Sequence, residues 1–569
     1  MKAVLCIVLC LVFVSLAALP VALDVASRYA QALGEELFPK FVVDHTEVLS
    51  AQGKPLAYVY HLSPTGFIVI SARDELPPLI AYSDNGSFHA ADGSRILAEM
   101  ISTDISNRLE YLTRTDHEAW ERALSADFLS SIRNTRNYLL STNWTQNYPY
   151  NMMCPMDLVT NQRSIAGCPA IAMGQIVNYL QALNGTRLND TDDYYHNYAG
   201  RSYWIDNDHD ALGFPSFPVL NGYLDEINYR FRYDLPLSDS LKAALVFASG
   251  TALKQVYTSA GSGTFAVNQA YAAFQRFGFS DCELISLDSP ELYIRMASNI
   301  QQGFPVHLAV VTPAWDAGHN VVVDGYNDAG YFHLNFGWGG SYNGWYLLPS
   351  QIPYSLTVIE GAIVDIFPKQ FISTLPDEIT LLSGQATNLM IINQENRDIV
   401  LEAWRVGPET DPQNWTITGA SPFPIVIPAL GITELSISYN EPVRDWFSTT
   451  LKLILDEGVH KLPLHYESGS ATDDPAIPAP TMQVQCYPNP SRDRANIMIS
   501  KASSSALEIA VYNQRGERIR SIHEGRIAQD ESYYEWDGRD SKGNPVPTGI
   551  YFVRAVSGKE RILKKIVRM

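Results

Sequence analysis

At 569 residues the chain is too long for one hydrophobic core, and its length alone points to roughly three to four domains. A composition of 46% hydrophobic and 18% charged residues suits folded domains and excludes a disordered or collagen-like chain. The formal net charge of −20 gives a surface that repels nucleic acid and anionic membranes, so no nucleic-acid partner is expected.

In chain order, Lys2 and an almost wholly apolar run from Ala3 to Leu19 come first, followed by small residues at Ala17, Ala18 and Ala22. This pattern predicts a secretory signal peptide over residues 1–22. An uncleaved membrane anchor is the other reading. Cys6 and Cys10 would leave with the signal. Cys154, Cys168, Cys282 and Cys486 remain, too few and too scattered for a disulfide framework and with no C-x-x-C pair to build a zinc site. No metal or other cofactor is expected.

Residues 23–138 read as a small α+β block. Ala26 to Leu33 looks helical. Leu56 to Leu62, Gly66 to Ser71 and Leu79 to Ser83 look like strands between Pro and Gly signals. Leu97, Ile101, Ile105, Leu109 and Leu112 then repeat at helical spacing. Residues 139–368 open with an aromatic and polar loop, pass through helices and close with strands, the order of an α+β domain. Residues 369–467 are strand-like throughout and suggest an immunoglobulin-type β-sandwich. Residues 468–484, holding Gly469, Pro475, Pro478 and Pro480, read as a linker. Residues 485–569 form a last small β-domain, mildly basic with fifteen Lys and Arg against ten Asp and Glu from Cys486 on.

The strongest chemical signal is Ser164-Ile165-Ala166-Gly167-Cys168-Pro169-Ala170. Ala172, Ile176, Tyr179, Leu180 and Leu183 fall on one helical face after it, and Pro169 fits the first helical position. Cys168 is thereby expected at a helix N-terminus, where the macrodipole and free N–H groups favour a thiolate nucleophile. A buried, inert cysteine is the competing reading. A thiolate needs a proton shuttle, and His319 in Gly318-His319-Asn320-Val321-Val322-Val323-Asp324-Gly325 stands at the start of an apolar strand. The return strand ends in Asn335-Phe336-Gly337-Trp338-Gly339-Gly340. Asn335 can bond a ring nitrogen and Trp338 can roof the imidazole. His307 and His333 lie in alternating strands and read as structural, and Asp324 reads as a turn residue.

Taken together, Trp144 to Asn151, Gly167-Cys168 with its helix, Gly318-His319 with Asp324-Gly325, and Asn335 to Gly340 resemble the streptopain family of papain-like cysteine peptidases. The resemblance implies that Cys168 is the nucleophile and His319 the general base. It implies that Gln146 completes an oxyanion hole with the Cys168 N–H, a role a neutral amide donor suits. Asn335 and Trp338 match residues beside the histidine, while Phe336 stands where the family usually shows a second tryptophan. Ser259 to Gly263 would line the substrate cleft or form a flexible loop. Gly66 to Ala72 and Leu76 to Leu79 resemble the family's propeptide, which implies a zymogen whose own propeptide acts as intramolecular inhibitor and is cut between about Leu124 and Thr142. Tyr487-Pro488-Asn489-Pro490, Trp536-Asp537-Gly538 and Pro547-Thr548-Gly549-Ile550-Tyr551 resemble the C-terminal sorting domain of the type IX (Por) secretion system. That implies secretion or outer-membrane display by a bacterium and secretion machinery as a partner.

The expected architecture is therefore α+β: a papain-like catalytic domain preceded by an α+β propeptide and followed by two β-sandwich (immunoglobulin-like) domains. The expected activity is that of a secreted cysteine endopeptidase acting on protein or peptide substrates through a thioester. An amidase or transpeptidase using the same Cys–His pair, and a non-catalytic adhesin, are the rival readings.

Overall fold

A computed structural model describes residues 20–568, except positions 39 and 41, most of 90–116, 134–137, 313–317, 349–357, 441–446, 468–481 and a few shorter stretches between 383 and 559. The expected signal peptide and most of the linker lie outside the described residues, as do Leu97 and Leu112 of the helical repeat.

The first block begins with a helix, α1 (Leu23–Leu37), which buries Ala26, Ala30, Leu33 and Leu37. Four antiparallel strands follow in sequential order: β1 (Val43–Ala51), β2 (Lys54–Leu62), β3 (Phe67–Ser71) and β4 (Leu79–Ser83). The second block carries α2 (Cys168–Leu180), α3 (Phe217–Arg232), α4 (Asp239–Ala252) and α5 (Val267–Arg276). Then come β5 (Glu283–Ser286), α6 (Leu292–Gln301), β6 (Val306–Val311), β7 (Gly318–Tyr326), β8 (Phe332–Asn335), β9 (Gly344–Tyr346) and β10 (Val358–Val364).

These two blocks share one ten-stranded sheet in the order β1-β2-β3-β4-β9-β8-β7-β6-β10-β5. The seam is the β4–β9 pairing, with Trp345 opposite Tyr82 and Tyr346 opposite Ala81. Apolar side chains from both blocks fill each face. On one face Val59, Phe67, Val69 and Phe88 of the first block join Phe332, Phe336, Tyr342 and Tyr346 of the second. On the other, Tyr58, Ile68, Leu79 and Tyr82 join Tyr331 and Trp345. β7 is apolar at Val321, Val322 and Val323 because helices or strands cover both its faces, as continuous runs in buried strands require.

Downstream, strands between Ile372 and Glu467 form a four-stranded and a five-stranded sheet packed around Leu389, Ile391, Leu435, Leu453 and Leu464. Three- and four-stranded sheets between Met482 and Arg568 enclose Ile497, Ile509, Val511, Trp536 and Val553. The α+β class with two trailing β-sandwiches is as expected. One boundary shifts: the strand Met482–Tyr487 takes in residues 482–484, which the sequence places in the linker.

Candidate active site

Gly167 makes the entry to α2 possible. Its φ of 84° is one that side-chain-bearing residues rarely adopt, and a Cβ there would stand 2.8 Å from Gln255 Oε1 and 3.0 Å from the Ser262 carbonyl. Cys168 is the first residue of the helix and Pro169 the second, one position further in than the sequence suggests. The preceding turn is fixed from two sides: Gln255 Nε2 donates to the Ala166 carbonyl at 2.7 Å, and the Ala166 N–H donates to the Gln146 carbonyl at 2.8 Å. That second bond holds the Gln146 loop beside the cysteine. Ser259 to Gly263 is pinned as well. Asp157 accepts from the Ser259 N–H and hydroxyl at 2.8 and 2.9 Å, and Arg201 pairs with the same carboxylate at 2.8 Å. The guanidinium and these donors hold Asp157 well below the usual carboxylate range.

Opposite α2 lies β7. His319 is buried there, with Nε2 2.9 Å from the Phe336 carbonyl and its ring stacked on Trp338 at 4.2 Å between centroids. Since a carbonyl only accepts, Nε2 carries the proton. Burial pushes the imidazole down to about 4, against the smaller upward pull of the Phe336 carbonyl. The residue after His319 reaches the Cys168 sulfur. Asn320 Nδ2 stands 4.0 Å from Sγ, and Asn320 also offers its backbone N–H. Burial raises the Cys168 thiol and those two donors oppose the rise.

Asn320 is itself anchored, its Oδ1 lying 2.7 Å from Nε2 of buried His307. Burial takes His307 down to about 4, so it donates as a neutral ring. Neither Asn320 nor His307 is named as a site residue by the sequence. The available signal was a polar side chain interrupting an apolar strand next to the candidate histidine.

Asn335 does not bond the His319 ring. Its Oδ1 accepts from Gln175 Nε2 at 3.2 Å and the Gly337 N–H at 3.0 Å, and its Nδ2 donates to the Thr142 carbonyl at 2.7 Å. It therefore fixes the Phe336–Gly337 backbone that presents a carbonyl to His319. Gln175, buried in α2, completes this hub by accepting from Thr142 Oγ1 at 2.8 Å. The expectation that Asp324 makes a turn is corrected: it is buried in the middle of β7, 2.6 Å from Nδ1 of His333, and accepts from the Leu140 N–H at 3.2 Å. A buried carboxylate requires such partners, and His333 is structural in consequence.

Among the described residues, the loop around Gly86 and Ser87 brings the first block to the Phe336 segment. The Tyr342 N–H donates to the Ser87 carbonyl at 3.2 Å, and Asn343 Oδ1 accepts from the Phe336 N–H at 3.0 Å. Gly86 is packed so tightly that a Cβ would lie 2.1 Å from the Asn343 carbonyl.

Residues 144–346 match the model of the Peptidase C10 family, residues 18–103 that of the Spi protease inhibitor and residues 491–560 that of the FlgD Ig-like domain. The chain is 23% identical over 325 residues to streptopain of Streptococcus pyogenes serotype M28, covering 54% of this chain and 77% of that protein. It is 25% identical over 310 residues to the thiol protease/hemagglutinin PrtT of Porphyromonas gingivalis, covering 51% of this chain and 33% of that one. Among solved structures it is similar to a prointerpain A fragment from Prevotella intermedia, at 23% identity and a TM-score of 0.41, covering 57% of this chain and all of the fragment.

Proposed function

This chain is a cysteine-type peptidase with a Spi inhibitor-like block ahead of its Peptidase C10 region, and we propose that it is a secreted endopeptidase held latent as a zymogen. The observation that supports the reading is the placement of Cys168 at the mouth of α2 against the strand that carries His319, whose neighbour Asn320 lies 4.0 Å from the sulfur. The proposed latency rests on the first block, whose Ser87 carbonyl and Gly86 pack on Tyr342 and Asn343. The Phe336 carbonyl, by holding Nε2–H of His319, leaves Nδ1 as the nitrogen that can take the Cys168 proton.

Removal of residues 23–138 would free the Tyr342–Asn343 loop and open the site to substrate. His319 then takes the Cys168 proton, and the thiolate attacks a peptide carbonyl. Gln146 and the Cys168 N–H, which the helix start leaves without an intrahelical partner, hold the oxyanion. His319 protonates the leaving amine, and water hydrolyses the thioester. Asn335 orients the histidine through the Phe336–Gly337 backbone, and Trp338 shields it. Residues 485–569 serve as a type IX sorting domain, carrying the enzyme to the bacterial surface or medium.

The test is self-processing of the chain without its signal. Wild type should shed its first block between about Leu124 and Thr142 and then cleave casein, while Cys168→Ala should persist at full length. Equal processing and equal casein cleavage by both proteins would overturn the assignment.

A further inference from the structure

Away from the cysteine, the first block gathers imidazoles around one carboxylate. Glu47 lies on β1, His61 on β2, and His89 in the segment after β4 that docks on the Tyr342–Asn343 loop. Nε2 of His61 and Nε2 of His89 both approach Oε2 of Glu47, at 3.3 and 3.0 Å, and the three atoms all lie within 4.8 Å of one another. His45, opposite His61 in the strand ladder, stacks on its ring at 4.1 Å, and Phe88 closes edge-on at 5.5 Å.

Two imidazoles and a carboxylate form the donor set of borderline divalent ions. Ligands about 2.0–2.1 Å from a tetrahedral ion stand about 3.3 Å from one another. The Glu47–His61 and Glu47–His89 separations already match two edges of such a tetrahedron, with a fourth position left for water. The three donors come from places far apart in the sequence, so cysteine spacing gave no sign of them.

We propose that Glu47, His61 and His89 bind a borderline divalent metal ion such as Zn2+, and that the ion clamps the β1–β2 hairpin to the Ser87–His89 segment and keeps the first block seated. The clamp rests on the zymogen reading; the binding site does not. An ion at this point would tie together two pieces of the first block that already meet through Phe88, the His61–His89 ring contact and the Glu47 hydrogen bonds. Ser87 and Gly86, two and three residues before His89, make the contact with Tyr342 and Asn343.

The experiment uses the full chain carrying Cys168→Ala, which stays intact and lacks the competing thiol. Zn2+ titrated against a chromogenic chelator should load one equivalent, and His89→Ala or Glu47→Gln should weaken that binding about tenfold or more. Co2+ added to the Cys168→Ala chain should give the intense visible band of a tetrahedral site, a readout that needs no ligand variant to fold. Absence of that band, or Zn2+ binding undiminished in both variants, would overturn the site and leave the peptidase reading untouched. For the clamp, the chain is nicked by trypsin after Arg133 or Arg136 and release of the first block is followed. Zn2+ should slow release in the Cys168→Ala chain and not when His89→Ala is added; equal release with and without Zn2+ would overturn the clamp.

Discussion

Cys168 lies between two opposed influences, burial that raises its thiol and the Asn320 donors that lower it. Replacing Asn320 by Ala removes one donor. The alkylation of Cys168 by iodoacetamide in the processed enzyme should then shift to higher pH, with a rate near neutrality lower by about three- to tenfold, the worth of one modest hydrogen bond. Cys154, Cys282 and Cys486 do not confuse this measurement, because burial pushes each of their thiols up to about 12. At Gln146 the expected effect falls on kcat. Gln146→Ala should lower kcat by about 10²- to 10³-fold with little change in KM, and Gln146→Glu should do at least as much harm by setting a carboxylate against the oxyanion. The helix start at Cys168, the strand at His319 and the Trp338 ring over that histidine were legible because each lies in a short segment with its own local logic, whereas Gln146 entered only with the resemblance. Asn320 and His307 were not legible, since their bond is made across two strands and leaves no mark in either segment alone.

Among elements, α2 was legible from the period of Ala172, Ile176 and Tyr179 and from Gly167 at its entry. Asp324 was misread because Asp-Gly ahead of a second apolar run looks like a turn, and only the buried His333 shows why a carboxylate belongs in mid-strand. The β4–β9 seam was invisible for a related reason: it joins residues more than 250 positions apart, and neither strand's pattern names its partner. That seam and the Gly86 contact are where the first block packs on the second, and the proposed latency would act through them. A side chain at position 86 has no room against the Asn343 carbonyl. Gly86→Val should therefore loosen the Ser87–Tyr342 contact and speed self-processing, read as a shorter half-time for loss of the full-length band on gels. If its half-time matches wild type, the 86–87 segment does not hold the site closed.

For the whole molecule, acid should act through the buried His307 and His319 and the half-buried His460. His307, His319 and His460 are each held neutral at about 4 by burial, against a usual value near 6.5. Because their folded values are depressed, the unfolded chain binds more protons between about pH 6.5 and 4, and stability falls as pH drops through that window. Each contributes up to about 3 kcal/mol. The zymogen's thermal midpoint should therefore decline across that window, and His460→Gln should blunt the decline without touching the peptidase site.

The shared sheet has one more result. Once the first block departs, β9 becomes an outer strand, and the departing block bares β4 in turn. Maturation thus opens two unpaired backbone ladders at the same moment, each ready to recruit a stray chain. The new border of the enzyme is only the three residues Gly344–Tyr346, too short to template much growth. The longer β4, bared on the discarded piece, is where clumping should begin.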